Sequence, residues 1–113
     1  SKKCDMSKEQ TLLFILDAIE SEMQTLSLWQ TVEPSAEALA STEPFAVDSL
    51  SFAEWVQWIM IPLFRKMVRL GHPLPTNSDI LPMAEEALKL VPQNTLRLTA
   101  LIGDIDNCLR VPH

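Results

Sequence analysis

Length, composition and charge limit what this chain can be. It has 113 residues, of which 47% are hydrophobic and only two are glycine, and this favours one helical domain spanning 1–113. Nine Lys and Arg against fifteen Asp and Glu give a net charge of −6, which repels phosphate chains and disfavours autonomous nucleic-acid binding.

Apolar runs and cysteines restrict the compartment. The strongest apolar run, Trp55 to Phe64, is about half as long as a bilayer requires, and the N-terminal SKKCDM is not followed by a small-residue cleavage site. Cys4 and Cys108 have no CxxC spacing, so we expect reduced thiols in a cytoplasmic protein without a membrane helix. A disulfide stays open as an alternative, because an up-and-down bundle would place both at one end.

The first long helix is predicted over 8–29. Ser7 and Gln10 have the spacing of a capping box, in which each side chain accepts a hydrogen bond from the other residue's backbone N–H. The apolar stripe that follows has helical spacing and comprises Leu12, Leu16, Ile19, Met23 and Leu26. A short helix over about 34–40 fits in the connection after it, beginning at Pro34.

The second long helix is predicted over 51–70. Ser51 and Glu54 form another capping box, and Leu50 can contact Trp55 as a hydrophobic staple. A broad apolar arc at 100° per residue marks this helix as central; its members are Phe52, Trp55, Val56, Ile59, Met60, Leu63, Met67 and Leu70. Pro62 should kink it, and Gly71 should end it in the left-handed conformation.

Two further helices are predicted over 80–91 and 94–110, with Asp79 and Asn94 as their N-caps. Asp104 and Asp106 are interpreted as part of a solvated face of the last helix. Four long amphipathic helices with mostly short connections indicate an antiparallel up-and-down four-helix bundle, with the short extra helix in the first crossing loop.

No set of residues specifies a reaction. The two histidines, His72 and His113, lie in a loop and at the terminus, which argues against a di-iron or di-manganese centre in the bundle. Walker, GxSxG and HExxH motifs are lacking. We therefore expect no catalytic residue, no metal and no cofactor, and a protein that is not an enzyme.

A second tryptophan lies outside the apolar arc. Trp58 lines up with Glu54 one turn before it and with Ile61, Arg65 and Arg69 after it. The favoured interpretation is that the 41–48 loop covers Trp58 and pairs its indole N–H. The alternative is that the stripe binds a partner or ligand, since Trp and Arg are enriched in binding hot spots. The cluster of Arg65, Lys66 and Arg69 complements the helix dipole or, less favoured, contacts RNA phosphate.

The stretch STEPFAVDSLSFAEWVQWIMIPLF resembles the YqcC-like family of small bacterial helical proteins. The matching motif positions are Ser41, Thr42, Pro44, Phe45, Asp48, Glu54, Trp55, Gln57, Trp58, Ile61 and Pro62. Similarity extends to HPLP and PMAEEAL, and to Trp29 followed by Glu33 and Pro34. The resemblance implies a helical bundle of unassigned activity, often encoded beside tRNA pseudouridine synthase C. It also implies that the 41–48 loop and the tryptophan helix form one structural unit.

Three classes of function follow. The leading hypothesis is a non-enzymatic interaction or accessory protein that assists tRNA modification by contacting the pseudouridine synthase, with homodimerisation through the same stripe as a variant. The second is a small apolar-ligand binder using space beside the Pro62 kink among Met60, Phe64 and Met67. The least favoured is an enzyme that uses the carboxylates of Asp48 and Glu54.

Overall fold

Helices form all the regular structure in the residues that the computed structural model describes, 7–40 and 50–110. Over these ranges there are five helices and no strand, so the predicted all-α class is confirmed. The helices are α1, Lys8–Thr25; α2, Ala36–Leu39; α3, over 52–70; α4, Leu81–Leu88; and α5, Leu96–Arg110. None of these helices is long and apolar enough to cross a membrane.

Both predicted capping boxes are present. At the start of α1 the Gln10 backbone N–H donates to Ser7 Oγ over 3.1 Å, and the Ser7 N–H donates to Gln10 Oε1 over 3.1 Å. At the start of α3 the Glu54 N–H donates to Ser51 Oγ over 3.1 Å, and the Ser51 N–H donates to Glu54 Oε1 over 2.8 Å. Each box satisfies two backbone donors, which fixes where these two helices begin.

Helix α1 ends at Thr25, four residues before the predicted boundary at 29. Ser27 adopts a left-handed conformation with φ 61°, and the Leu28 N–H donates to the Met23 carbonyl over 2.8 Å. This is the Schellman arrangement, which satisfies the last carbonyls while turning the chain away. The prediction was wrong because Leu28 and Trp29 are apolar and extend the pattern, although they pack on the core from outside the helix.

Helix α3 changes its winding in the middle. It consists of an α-helical turn, Phe52–Trp55, a π-helical turn, Val56–Met60, and a second α-helical segment, Ile61–Leu70. The Ile61 N–H donates to the Val56 carbonyl five residues earlier. Pro62 follows directly and lacks the N–H that a regular helix would direct at the Trp58 carbonyl, so the interruption stands where the sequence predicts a kink.

The π turn holds one extra residue and therefore rotates the rest of α3 about its axis. Ile61 and Phe64 are buried, whereas Leu63 and Leu70 are 50% and 51% exposed. The predicted apolar arc, drawn at a constant 100° per residue, was wrong beyond the π turn because it placed both leucines in the core. The helix then ends as predicted, with Gly71 at φ 71°.

A buried carboxylate organises the start of α4. Asp106 is 2% exposed, and its Oδ1 accepts hydrogen bonds from the Ser78 hydroxyl over 2.6 Å and the Ile80 N–H over 2.9 Å. Its Oδ2 accepts from the Leu81 N–H over 2.8 Å. The prediction of Asp106 as solvated was therefore wrong, and so was that of Asp79 as the cap of this helix: α5 supplies the capping carboxylate from across the core.

The remaining boundaries shift by a few residues. Helix α4 occupies Leu81–Leu88 rather than 80–91, and α5 occupies Leu96–Arg110 rather than 94–110. Asn94 Oδ1 accepts from the Leu96 N–H over 3.1 Å, so its side chain supports the start of α5.

The core lies between α1 and α5, which pack against each other, with α4 on α5 and the two ends of α3 on α4 and α1. Its fully enclosed side chains include Leu12, Leu16, Ile19, Met23, Met60, Ile61, Ile102, Ile105 and Leu109. This packing holds α3 along one side of the molecule, with its rotated second half partly open to solvent.

Candidate functional site

The polar residues of the double-tryptophan motif converge on Gln30, in the segment that follows α1. Gln57 is 4% exposed, and its side-chain amide forms two hydrogen bonds with the Gln30 backbone. The Gln30 N–H donates to Gln57 Oε1, and Gln57 Nε2 donates to the Gln30 carbonyl, both over 2.7 Å. The side-chain oxygen and nitrogen of this buried glutamine are thus each paired with backbone, which offsets much of the cost of its burial.

The Gln30 side chain bonds to two more motif residues. Its Nε2 donates to Glu54 Oε2 over 3.2 Å, and its Oε1 accepts from Trp58 Nε1 over 3.0 Å. We refer to Gln30, Glu54, Gln57 and Trp58 as the Gln30 cluster. No sequence pattern singled out Gln30, because its contacts lie 24 to 28 residues away and it belongs to no helix.

The indole N–H of the half-buried Trp58 is therefore occupied by Gln30. The 41–48 loop, which was expected to cover it, lies outside the described residues, as do the motif positions Ser41, Thr42, Pro44, Phe45 and Asp48.

The Glu54 carboxylate accepts a hydrogen bond from the Ser51 backbone N–H over 2.8 Å. The hydrogen bond from the Ser51 N–H lowers the pKa of this carboxyl below its ordinary value of 4.5, against the opposing effect of partial burial and with the help of Gln30. A general acid at neutral pH needs a raised pKa. Its proposed partner Asp48 is outside the described residues.

Arg65 links α3 to α1. Its guanidinium donates to Asp17 Oδ1 over 2.8 Å and to Glu20 Oε1 over 2.9 Å. Partial burial opposes the charge, but the hydrogen bonds to Glu20 and Asp17 outweigh it and raise the pKa. Arg65 is thus engaged within the fold, whereas Lys66 and Arg69 are exposed and have no ion partner among the described residues.

The predicted stripe is not one continuous surface. Ile61 is 1% exposed and belongs to the core, so its assignment to a partner-binding surface was wrong. The physical reason is the π turn, which shifts the face of every residue after it relative to Trp58. Arg69 remains accessible in the second half of the helix, while Glu54 and Trp58 belong to the Gln30 cluster in the first half.

An apolar groove of about 570 Å³ runs between α3 and the segment before α4. Its lining includes Met60, Phe64 and Met67, the three residues beside which the sequence predicts space. The other lining residues are Trp55, Leu63, Pro73, Leu74, Pro75, Asn77, Ser78, Asp79 and Ile80. Since Asp106 binds Ser78 and Ile80, one wall of this groove is fixed by α5.

The first tryptophan of the motif is one of the residues that line this groove. Trp55 packs against the core and against Phe52, with ring centroids 5.9 Å apart, and Leu50 is buried. It therefore combines a packing role with a place in the groove wall.

Few other side chains suggest chemistry. Over 7–40 and 50–110, no group of three or more His, Cys, Asp or Glu residues is placed to hold a metal ion. Burial raises the pKa of the Cys108 thiol, whose Sγ lies 3.5 Å from the Lys8 carbonyl oxygen. Cys4 is outside the described residues, so the disulfide alternative stays untested.

A family model described as tRNA pseudouridine synthase C matches residues 11–108. The chain belongs to the YqcC-like family of small bacterial proteins, and the resemblance seen in the sequence is confirmed. An uncharacterized protein of Haemophilus influenzae is 41% identical over 88 residues, covering 78% of this chain and 83% of that protein. The uncharacterized protein YqcC of Escherichia coli K12 is 33% identical over 87 residues, covering 76% and 80%.

Two further comparisons bear on the fold and on function. The solution NMR structure of YqcC from E. coli has a TM-score of 0.79 and 28% identity, and the alignment covers 96% of each chain. A protein of Pectobacterium carotovorum named tRNA pseudouridine synthase C is 36% identical over 70 residues, which is 62% of this chain but 19% of that protein.

Proposed function

We propose that this protein is a non-enzymatic accessory protein that binds a tRNA pseudouridine synthase in the cytoplasm. One observation carries the proposal: a 70-residue region similar to this chain occupies 19% of a Pectobacterium protein named tRNA pseudouridine synthase C. In that protein a region of this type and the rest of the synthase are covalently joined.

Covalent joining raises the effective concentration at which two modules meet. A linked pair of modules sees an effective concentration that reaches the millimolar range, so even a weak contact between them is populated. The relatives from Haemophilus influenzae and Escherichia coli consist mostly of this region, because the matches cover 83% and 80% of them, and a protein of that kind needs an interface of its own to maintain the association. We therefore expect a reversible complex between this protein and the synthase.

The fold supplies a rigid surface for such a complex. Each long helix packs on two others in the cyclic order α1, α3, α4 and α5, which supports the predicted antiparallel four-helix arrangement. The Gln30 cluster and Arg65 hold α3 in place, and pre-organised surfaces lose less entropy on binding. Trp58, Arg65 and Arg69 stay a prediction as partner-binding residues.

The test uses this protein and the tRNA pseudouridine synthase C of the same organism, purified separately and titrated by calorimetry. We expect a complex with a dissociation constant of about 10 μM or tighter, which corresponds to roughly −7 kcal/mol. A pseudouridine synthase of another class is the control partner. Heat signals equal for both synthases, or none with either, would contradict the proposal, and sedimentation of this protein alone distinguishes monomer from homodimer.

The apolar groove supports a second candidate, the binding of a small apolar ligand. Decanol is a suitable uncharged probe, and Met67→Gln places a polar group on the groove lining as a control variant. Binding to the folded state should raise the melting temperature of the wild type with probe concentration, and of Met67→Gln much less. Equal shifts in both proteins, or no shift, would count against this function.

A further inference from the structure

We propose that the synthase docks on the second half of α3 through an amphipathic, acidic helical segment whose apolar side enters the groove. The binding surface comprises the groove and four exposed residues of α3. These four residues, which we call the open face, are Leu63, Lys66, Arg69 and Leu70. This inference rests on the proposed function, because it assigns the surface and the chemistry of that partner.

The apolar part of the open face, Leu63 and Leu70, extends over more than one helical turn. Leu63 and Leu70 are 50% and 51% exposed. Seven residues apart on a helix, they lie on the same side and about 10 Å from each other along the axis. Leu63 also forms part of the groove wall, and Leu70 lies on the same side of α3, two turns further along the helix.

The extent of this surface favours an elongated occupant. A small molecule inside the groove would leave the outward sides of Leu63 and Leu70 in water. A helix lying along α3 would cover both leucines with residues spaced three, four and seven apart, and would insert one larger side chain into the groove.

Charge identifies the polar side of the occupant. Lys66 and Arg69 are exposed beside the leucines and have no ion partner among the described residues. The other arginines of these ranges, and Lys89, are paired with carboxylates; the pairs are Arg65 with Asp17 and Glu20, Lys89 with Glu86, Arg97 with Glu22, and Arg110 with Asp79. Two unneutralised cations on the helix that forms one wall of the groove complement a partner segment with Asp or Glu.

The opposite rim does not cancel this positive charge. Asp79 is the one carboxylate of the groove lining, and Arg110 binds it over 3.0 Å. Asp106 lies behind the wall and is occupied by Ser78, Ile80 and Leu81. The unneutralised charges of the groove-forming helix are therefore the cations Lys66 and Arg69, on a chain whose net charge is −6.

The same charges disfavour a second copy of this chain. A two-fold dimer brings the same patch of each subunit together, so Lys66 and Arg69 of both subunits, four cations, would lie in one interface. Like charges across an interface are repulsive. An acidic partner is attracted by these cations, whereas a second copy of this chain is repelled by them.

The experiment titrates the synthase into four variants that change exposed residues only. Lys66→Glu combined with Arg69→Glu reverses the charge, and Leu70→Ser removes an exposed apolar side chain. Their matched controls are Lys89→Glu combined with Arg97→Glu, which reverses two exposed cations elsewhere, and Leu90→Ser, since Leu90 is 82% exposed elsewhere on the surface. Circular dichroism and a urea transition verify that each variant is folded.

We expect both open-face variants to bind the synthase at least about tenfold more weakly than wild type, with the controls unchanged. Wild-type affinity should fall with added salt, and the charge-reversed variant should lose most of that dependence. A photo-crosslinker at position 70 should label a synthase peptide that contains acidic and apolar residues at helical spacing.

The outcomes separate the two proposals. If wild type binds and the open-face variants bind equally well, the surface assignment is overturned while the accessory function stands. If wild type does not bind the synthase, both are overturned. If sedimentation shows a wild-type dimer that Leu70→Ser dissociates, the occupant is a second copy and the acidic partner is rejected.

Discussion

The two halves of α3 differ in what their side chains are engaged with. In the first half, Glu54, Gln57 and Trp58 all bond to Gln30, so the polar side-chain atoms of these three residues are engaged with the segment after α1. In the second half, Leu63 and Leu70 are half exposed and Lys66 and Arg69 have no ion partner within the described ranges. The side chains of the first half, which carries the two tryptophans, are engaged in contacts within the protein. The exposed side chains of the second half are available for binding.

This contrast shows how a conspicuous motif can be structural. Two tryptophans three residues apart suggest a hot spot, because exposed Trp is enriched at interfaces. Here Trp55 packs on the core, and Trp58 donates to Gln30 and so helps to fix the segment after α1 against α3. The π turn between the halves then decides which downstream residues face solvent.

The largest expected loss of stability follows from Asp106, which fixes the groove wall opposite the second half of α3. Asp106→Ala leaves the Ile80 and Leu81 N–H groups and the Ser78 hydroxyl without their acceptor, so we expect unfolding free energy to fall by about 3 kcal/mol. Urea denaturation measures it. The control is Asp104→Ala on the exposed side of α5, expected to change stability by less than about 0.5 kcal/mol. Equal losses in the two variants would reject the capping role of Asp106.

In the first half of α3, Gln57→Ala should cause the next largest loss of stability. It removes both 2.7 Å hydrogen bonds to the Gln30 backbone and leaves that N–H and carbonyl unpaired. We expect a loss of about 2 kcal/mol in urea denaturation, and faster hydrogen exchange at Gln30. Gln24→Ala on the exposed side of α1 is the control. Unchanged exchange at Gln30 would show that the pairing is not formed in solution.

Trp58→Phe should have a smaller effect, because it keeps an aromatic ring and removes the 3.0 Å bond to Gln30 Oε1. We expect a loss of about 1 kcal/mol. A double-mutant cycle with Gln30→Ala isolates the bond, since the two losses should be less than additive. Full additivity would mean that Trp58 contributes through packing alone.

The pH dependence of stability should be the smallest effect. Because the folded-state pKa of Glu54 is lowered, mainly by the Ser51 N–H, its contribution is complete above the ordinary value of 4.5 and is lost as pH falls through the folded-state pKa. The stability difference between wild type and Glu54→Gln should therefore shrink below pH 4.5. Urea midpoints across the acidic range measure it, and a difference that stays constant throughout would disagree with this assignment.

Local signals in the sequence predicted the fold class and several boundaries. The Ser7 and Ser51 capping boxes and the Gly71 stop depend on residues within one helical turn, and all three are present. The end of α1 was missed because Ser27, rather than glycine, takes the left-handed position. Serine is uncommon there, so the pattern gave no signal.

The site was less predictable because its determinants are long-range. In the sequence Asp106 belongs to a polar face of the last helix, and its burial is favourable only because Ser78, Ile80 and Leu81 donate hydrogen bonds to it. Gln30 acquires its partners from residues 24 to 28 positions away. The groove beside Met60, Phe64 and Met67 was predicted from Pro62, because a proline interrupts a helix whatever the helix packs against.

The rotation of α3 by its π turn is the central claim, and thiol labelling tests it most directly. In a background with Cys4→Ser and Cys108→Ser, Leu63→Cys and Ile61→Cys are labelled with a maleimide under native conditions, with labelling in urea as the reference. The structure predicts that Leu63→Cys reacts nearly as fast as in urea and that Ile61→Cys is strongly protected, since these side chains are 50% and 1% exposed. A protected Leu63→Cys and a reactive Ile61→Cys would indicate a regular helix and would contradict the open face.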